Sequence, residues 1–396
     1  MTNRERFQAV FHFEKPDDRL PMIEWASWWG ETLQAWQNQG LSRDIPWDGI
    51  APALGLDRQV QFWLPHRVSN CPQPKFHGGP IMETEEDYEN LLPYLYPEHG
   101  PDGQLEAMRR LKPQHEAGEF PIWFSLDGGF WFPRTLLGIE NHLYSFYDCP
   151  ELYHRILNDL ADYQIRQIER IYEILTPDFM TFGEDMSYNN GPMISESCFN
   201  EFLAPYYRKV IPVIREHGTK VIVDTDGDVS RMIPWMRKVG IEGVLPLERQ
   251  AGVDVAALRE AYPDFLFIGA FDKMTMRRST EAMRDEFERL LPVMKTGGFI
   301  CICFGFMSFD GYGIHGIHDI IKPLGVIDFG KTITVKCNKL TACRLHKISE
   351  SVYGCSQTVT VFIIHKSVTV QVICNNFHHF SHFFKRPCSV LNKIVR

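Results

Sequence analysis

Between residues 150 and 300 the chain alternates amphipathic helical stretches with short β-branched or aromatic runs, and that alternation leaves few folds open. It is the pattern of repeated βα units around a parallel sheet. Residues 151–175 set Ile156, Leu157, Leu160, Ile165, Ile168, Ile171 and Leu175 at helical spacing, and a strand over 178–184 follows. A second helix carries Pro205 and Pro212 and ends at Gly218, a left-handed C-cap, ahead of a strand over 220–226. Helices over 229–238, 253–262 and 279–295 then alternate with strands over 243–248, 265–272 and 299–304. Upstream, residues 19–24 and 121–127 have strand character and 58–64 is a weaker candidate, while 65–118, with eight prolines, reads as loops and short helices. Eight strands close a barrel, so the expected fold is α/β, a (β/α)8 TIM barrel over residues 1–304.

Charge divides the chain at the same place. Residues 1–300 hold 30 Lys and Arg against 46 Asp and Glu, a net of −16, whereas 301–396 hold 11 against 4, a net of +7. An acidic body repels polyanions, which argues against nucleic acid as a partner. Apolar runs such as 265–271 fall far short of the ~18 residues a membrane helix needs, and the N-terminus leads into no apolar segment of an export signal. The expected setting is cytoplasmic, with no membrane partner.

The last quarter is different in kind. It holds seven of the ten cysteines and seven of the fifteen histidines, and 357–374 alternate Thr, Val and Ile as a strand does. Cys301-x-Cys303 and the His378, His379, His382 cluster are weak metal signals. Residues 305–396 therefore read as an atypical basic tail, disordered or encoded by a shifted reading frame.

In a parallel β/α barrel, functional groups sit where the βα loops converge at the C-terminal ends of the strands. Here those ends carry Glu24, Asp127, Glu184 with Asp185, Asp224 with Asp226, Glu248 and Asp272. Period-2 geometry puts Ile222, Asp224 and Asp226 on one side, so two carboxylates ~6–7 Å apart face the same way. Carboxylates gathered in one cavity raise one another's pKa values and call for a cation or a shared proton. Asp224 and Asp226 are thus candidate ligands of a divalent metal: Mg or Mn with oxygen ligands, or Zn with an added His. Glu184, Asp185, Asp226 and Glu248 are the candidate acid–base groups. A small organic substrate would meet Glu24, Trp28, Trp29, Asp127, Tyr188, Asp272 and Lys273, and Lys273 is also a candidate Schiff-base amine. His66 with Arg67 could contact an anion, and the rim has further tryptophans, Trp63 and Trp131 among them. No HExxH or GxSxG motif occurs.

Several segments in order resemble the uroporphyrinogen decarboxylase (URO-D) superfamily: Met1-Thr-Asn-Arg-Glu-Arg-Phe with Asp18-Arg-Leu-Pro, Phe182-Gly-Glu-Asp-Met, Phe202-Leu-Ala-Pro-Tyr-Tyr, Val223-Asp-Thr-Asp-Gly-Asp, Gly243-Val-Leu-Pro-Leu-Glu and Ile268-Gly-Ala-Phe-Asp-Lys. The resemblance implies a (β/α)8 barrel that is either a decarboxylase-like lyase of porphyrin metabolism or a zinc-dependent methyltransferase with a cobamide-carrying corrinoid partner. The true decarboxylase has an Arg-Gln-Ala-Gly-Arg motif after its first strand; this chain has Trp25-Ala-Ser-Trp-Trp-Gly there, which argues against a porphyrinogen substrate. The methyltransferase branch holds zinc with His-x-Cys and a later Cys; this chain has Asp224-x-Asp226. The expectation is therefore a metal-dependent lyase or methyltransferase acting on a small molecule. Paired carboxylates with tryptophans also describe a glycoside hydrolase, and a non-catalytic corrinoid- or small-molecule-binding barrel is the third alternative.

Overall fold

The computed structural model describes residues 1–25 and 28–302, and the backbone of 358–364 and 367–373. The chain divides into two compact units, Met1–Ile327 and Asp328–Arg396. Cys303, His378, His379 and His382 lie outside the described residues.

Among the described residues of the first unit, seven parallel strands pair strictly in chain order: β1 (Val60–Trp63), β2 (Ile122–Asp127), β3 (Phe179–Gly183), β4 (Lys220–Asp224), β5 (Gly243–Leu247), β6 (Leu266–Ala270) and β7 (Phe299–Ile302). Sequential parallel order demands a crossover after each strand. Between the later strands the crossovers include α3 (Pro150–Tyr172), α4 (Ala204–Arg215), α5 (Ile233–Lys238), α6 (Val255–Ala261) and α7 (Thr280–Met294); α1 (Asn3–Phe11) opens the chain and α2 (Trp131–Leu137) follows β2. The helix register read from the sequence holds closely, and Gly218 is left-handed with φ +79°. The segment 65–118 is more regular than expected, with a fifteen-residue helix at Asp102–Glu116 that tolerates Pro113 near its end.

The sheet is curled into a half-barrel. Trp123, Phe179, Ile222, Leu245, Ile268 and Ile300, from six strands, meet in one inner cluster, while a larger cluster fills the space between the sheet's outer face and the helices. An eighth strand is absent among the described residues. Residues 19–24 form no ladder: Pro21 lacks an N–H, and the contacts to the β1 side are single bonds, Asp57 N–H to the Met22 carbonyl (2.7 Å) and Gln59 Nε2 to the Glu24 carbonyl (2.6 Å). Ile23 and Trp25 of this stretch nevertheless enter the inner cluster.

The N-terminal ends of the strands are sealed by α1. Phe7 stacks on Phe179 at 5.9 Å, and the Gly298 N–H donates to the Val10 carbonyl. Asp178, fully buried before β3, takes Arg4 Nε (2.8 Å), Gln8 Nε2 (2.9 Å), His115 Nε2 (2.8 Å) and the Ile122 N–H (3.0 Å). Asp57, before β1, is paired with Arg19 and accepts the Met22 N–H.

In the second unit, Thr358–Ile364 and Ser367–Ile373 form an antiparallel hairpin, so the alternation over 357–374 belongs to two strands.

Candidate active site

At the C-terminal ends of the strands, period-2 alternation aims alternate side chains inward, continuing the inner cluster upward. Asp224 ends β4, two residues beyond the inward Ile222, and the buried Trp25 indole hydrogen-bonds its carboxylate. Burial pushes the Asp224 carboxyl well above the usual carboxylate range, and neighbouring Asp185 and Asp226 push it further. Asp226 is raised to about 7, by burial first and then by Glu248 and Asp185, with Lys273 opposing. Asp185 has φ +45°, a strained conformation for a residue with a Cβ, and is half-buried beside both. Glu248 accepts the Gly227 N–H (3.0 Å) and meets Lys273 Nζ at 3.4 Å. Leu247, Glu248, Gln250, Ala270, Phe271 and Lys273 line a recess at this rim. Asp185, Asp224, Asp226, Glu248 and Lys273 are thus brought to one mouth.

The loop holding Asp226 is clamped. Thr225 Oγ1 accepts the N–H groups of Met186 (2.9 Å) and Ser187 (3.1 Å), and the Asp228 N–H donates to the Tyr188 carbonyl. Gly227 is required there: φ is +83°, and a Cβ would lie 2.3 Å from the Tyr188 backbone. Tyr188 therefore contributes its main chain to the clamp, while its side chain is exposed.

Other expected site residues have different occupations. The Glu184 carboxylate turns away from the cluster and accepts N–H groups of Gly129 (2.9 Å), Phe130 (2.7 Å) and Trp131 (3.2 Å), with the Tyr207 hydroxyl as a fourth donor. It anchors the start of α2, and burial raises it to about 7 against the pull of those donors. Asp272 accepts the Met274 N–H and Gln250 Nε2, capping a 3-10 turn. Trp28 packs edge-to-face on Trp36 in a satellite cluster, and Trp29 precedes the helix Gly30–Asn38. Glu24 bonds the neighbouring Trp25 N–H and lies near Cys301, whose thiol is pushed up by burial, Glu286 and Glu24.

A resident metal does not fit this donor set. Among the described residues no three His, Cys, Asp or Glu side chains converge to hold an ion. Asp185 and Glu248 stand near Asp224 and Asp226 without three of them converging on one ion position, the Asp224 carboxylate is bonded to an indole N–H, and Cys301 packs against the outer cluster rather than toward the mouth.

Beside the acids stands a group of which the choice of site residues held only Asp127. Asp127, at the end of β2, accepts Trp63 Nε1–H at 3.1 Å and faces His66 Nδ1 at 3.4 Å. Burial would raise Asp127, but His66, Trp63 and Arg67 outweigh it and hold the carboxyl below its ordinary value. The anion that His66 meets is thus internal, and Arg67 bonds Thr135 over the Phe132 ring. Trp63 was visible as a rim aromatic, but its strand is the weakest in the sequence.

Comparison with known proteins agrees with this architecture. A methyltransferase from Methanosarcina mazei is similar in fold, with a TM-score of 0.56 and 14% identity over 82% of this chain and 98% of that one. The YdhT protein from Bacillus subtilis aligns with a TM-score of 0.39 and 10% identity over 85% of this chain and 93% of that one. No curated protein matches the sequence. The profile of the uroporphyrinogen decarboxylase (URO-D) family matches residues 69–303, more than half of the chain, with β2 to β7 and the acidic mouth inside it. The chain belongs to the URO-D family.

Proposed function

We propose that the chain is a lyase that removes CO2 from a small organic carboxylic acid, with Asp226 as the proton donor. The observation that carries this reading is the Asp185, Asp224, Asp226 and Glu248 cluster, in which the Asp226 carboxyl is raised to about 7. A carboxyl poised near neutral pH both holds and releases a proton readily. The C–CO2 bond breaks with its electron pair left on the substrate carbon, which an adjacent electron-withdrawing group must delocalise. Asp226 Oδ–H then protonates that carbon, and the resulting carboxylate regains a proton from water, so each turnover consumes one proton and releases one CO2. Asp224, whose carboxyl burial and its acidic neighbours push up, limits the charge that the cluster accumulates. Lys273, beside Glu248, supplies the cation that receives the substrate carboxylate.

Methyl transfer is the second reading, favoured by the fold shared with the Methanosarcina methyltransferase. It would bring a corrinoid protein as partner, and it needs a thiol-activating metal for which the described residues offer no donor triad. A glycoside hydrolase would use the same acids with neither CO2 nor methyl as product. The three separate in one assay of the full chain with a panel of small organic carboxylic acids in D2O. The lyase releases CO2 and leaves deuterium on the decarboxylated carbon, and Asp226→Asn abolishes both. Chelator-sensitive methylation of a corrinoid, or hydrolysis of aryl glycosides, without CO2 release overturns it.

A further inference from the structure

Strand register places three of the inward positions at the mouth side by side. Asp127 pairs with Gly183 and Gly183 with Asp224, so Asp127 and Asp224 stand two strands apart, ~10 Å between backbones, with no side chain between them. Trp63, inward from β1, lays its ring over that gap: a Cβ on Gly183 would lie 3.1 and 3.2 Å from two ring carbons. The ring is 46% exposed.

Hydrogen-bond polarity fixes the state of the carboxylate beside it. The Tyr206 hydroxyl donates to Gln164 Oε1 (2.5 Å), so the Gln164 amide nitrogen is the group facing His66 Nε2 (2.9 Å) and the Asp127 carbonyl (2.8 Å). An amide N–H can only donate, which makes His66 Nε2 the acceptor and puts the ring proton on Nδ1. His66 is 3% exposed, and Nδ1, which makes no hydrogen bond, lies 3.4 Å from Asp127 Oδ2. A buried relay therefore holds a carboxylate at the edge of an open indole face, and the Asp127 side chain keeps 18% of its surface accessible.

We infer that Trp63 and Asp127 form a subsite for an organic ammonium group, so that the substrate carries a cationic head over the indole face. An ammonium or methylated ammonium gains from the ring quadrupole and from the carboxylate together, whereas an anion here would meet Asp127, the acid cluster and a body of net charge −16. The inference rests on taking this mouth as the reaction centre and adds the substrate class: a small zwitterion or cation, with the ammonium at β1–β2 and the reacting carbon toward Asp226.

Choline and its neutral carbon analogue 3,3-dimethylbutan-1-ol are the probes, titrated calorimetrically into the full chain. Choline should bind at least tenfold more tightly than the analogue and weaken as salt rises. Trp63→Leu and Asp127→Asn should each weaken choline at least tenfold. Trp63 is exposed, so its substitution keeps the test intact if Asp127→Asn fails to fold. No choline binding, equal binding of the two probes, or unchanged choline affinity in Trp63→Leu overturns the subsite. Asp226→Asn separates this from the lyase reading, since it should leave choline binding in place while removing turnover.

Discussion

The two ends of the sheet treat charge in opposite ways. At the N-terminal ends, each buried carboxylate is met by cations and N–H donors: Asp178 by Arg4, Gln8, His115 and the Ile122 N–H, and Asp57 by Arg19 and the Met22 N–H. At the C-terminal ends, Asp185, Asp224, Asp226 and Glu248 face one another, and their mutual repulsion together with burial raises two of them far from their ordinary values. The first arrangement lowers the energy of the folded chain; the second raises it and keeps a transferable proton. Barrels commonly divide their ends this way, stability at one and chemistry at the other.

Removing a charge should therefore act in opposite senses at the two ends. Asp178→Ala leaves Arg4 and His115 facing a void at a buried site, and a loss of about 3–5 kcal/mol in unfolding free energy is expected. Urea titration measures it, and kcat of the molecules that remain folded should hold. Asp226→Asn should cut kcat by about 10²–10⁴-fold while the urea midpoint stays level or rises. The wild-type rate should be flat in acid and fall tenfold per pH unit above about 7, as the Asp226 proton is lost. A destabilised Asp226→Asn, or an Asp178→Ala that keeps its stability and loses turnover, would break the contrast.

Glu184 tests where the boundary between the two behaviours lies. It follows β3 at the acidic end, yet its carboxylate is satisfied by three N–H groups and a tyrosine, like the acids at the other end. Its folded value of about 7 exceeds the unfolded one near 4.5. The folded state therefore binds the extra proton, and this group's contribution is fully present below about pH 4.5 and is lost as pH rises toward 7. Glu184→Gln should flatten that slope in urea midpoints measured from pH 4.5 to 7. It should also cost about 1–3 kcal/mol, because one amide oxygen cannot accept all four donors.

What could be read from the sequence follows from the range of the interactions involved. Period 2 along 222–226 put Asp224 and Asp226 on the inner side, and the structure brings them to one mouth with Asp185 and Glu248, because strand alternation is local. The anchoring of Glu184 was not legible because its partners lie at 129–131 and 207, and nothing near residue 184 announces them. That residues 19–24 add no strand to the sheet turns on Pro21 and on a segment whose apolar residues serve the inner cluster without a ladder. Trp63 and Asp127 are 64 residues apart, joined only by the pairing of β1 with β2, so their subsite was beyond any spacing argument.

The smallest change sharpens the comparison most, since it adds one methyl group between the acids. Gly183→Ala puts a Cβ 3.1 Å from the Trp63 ring, closer than most such contacts. The ring is exposed and free to tilt outward, so the stability cost should stay under about 1 kcal/mol. Tilting, however, takes the indole N–H away from Asp127 and the ring face away from the gap. Weakened choline binding with an unchanged urea midpoint is the expected result, whereas the same methyl at Gly128, where a Cβ would lie 2.0 Å from the tightly held Glu184 carboxylate, should cost stability instead.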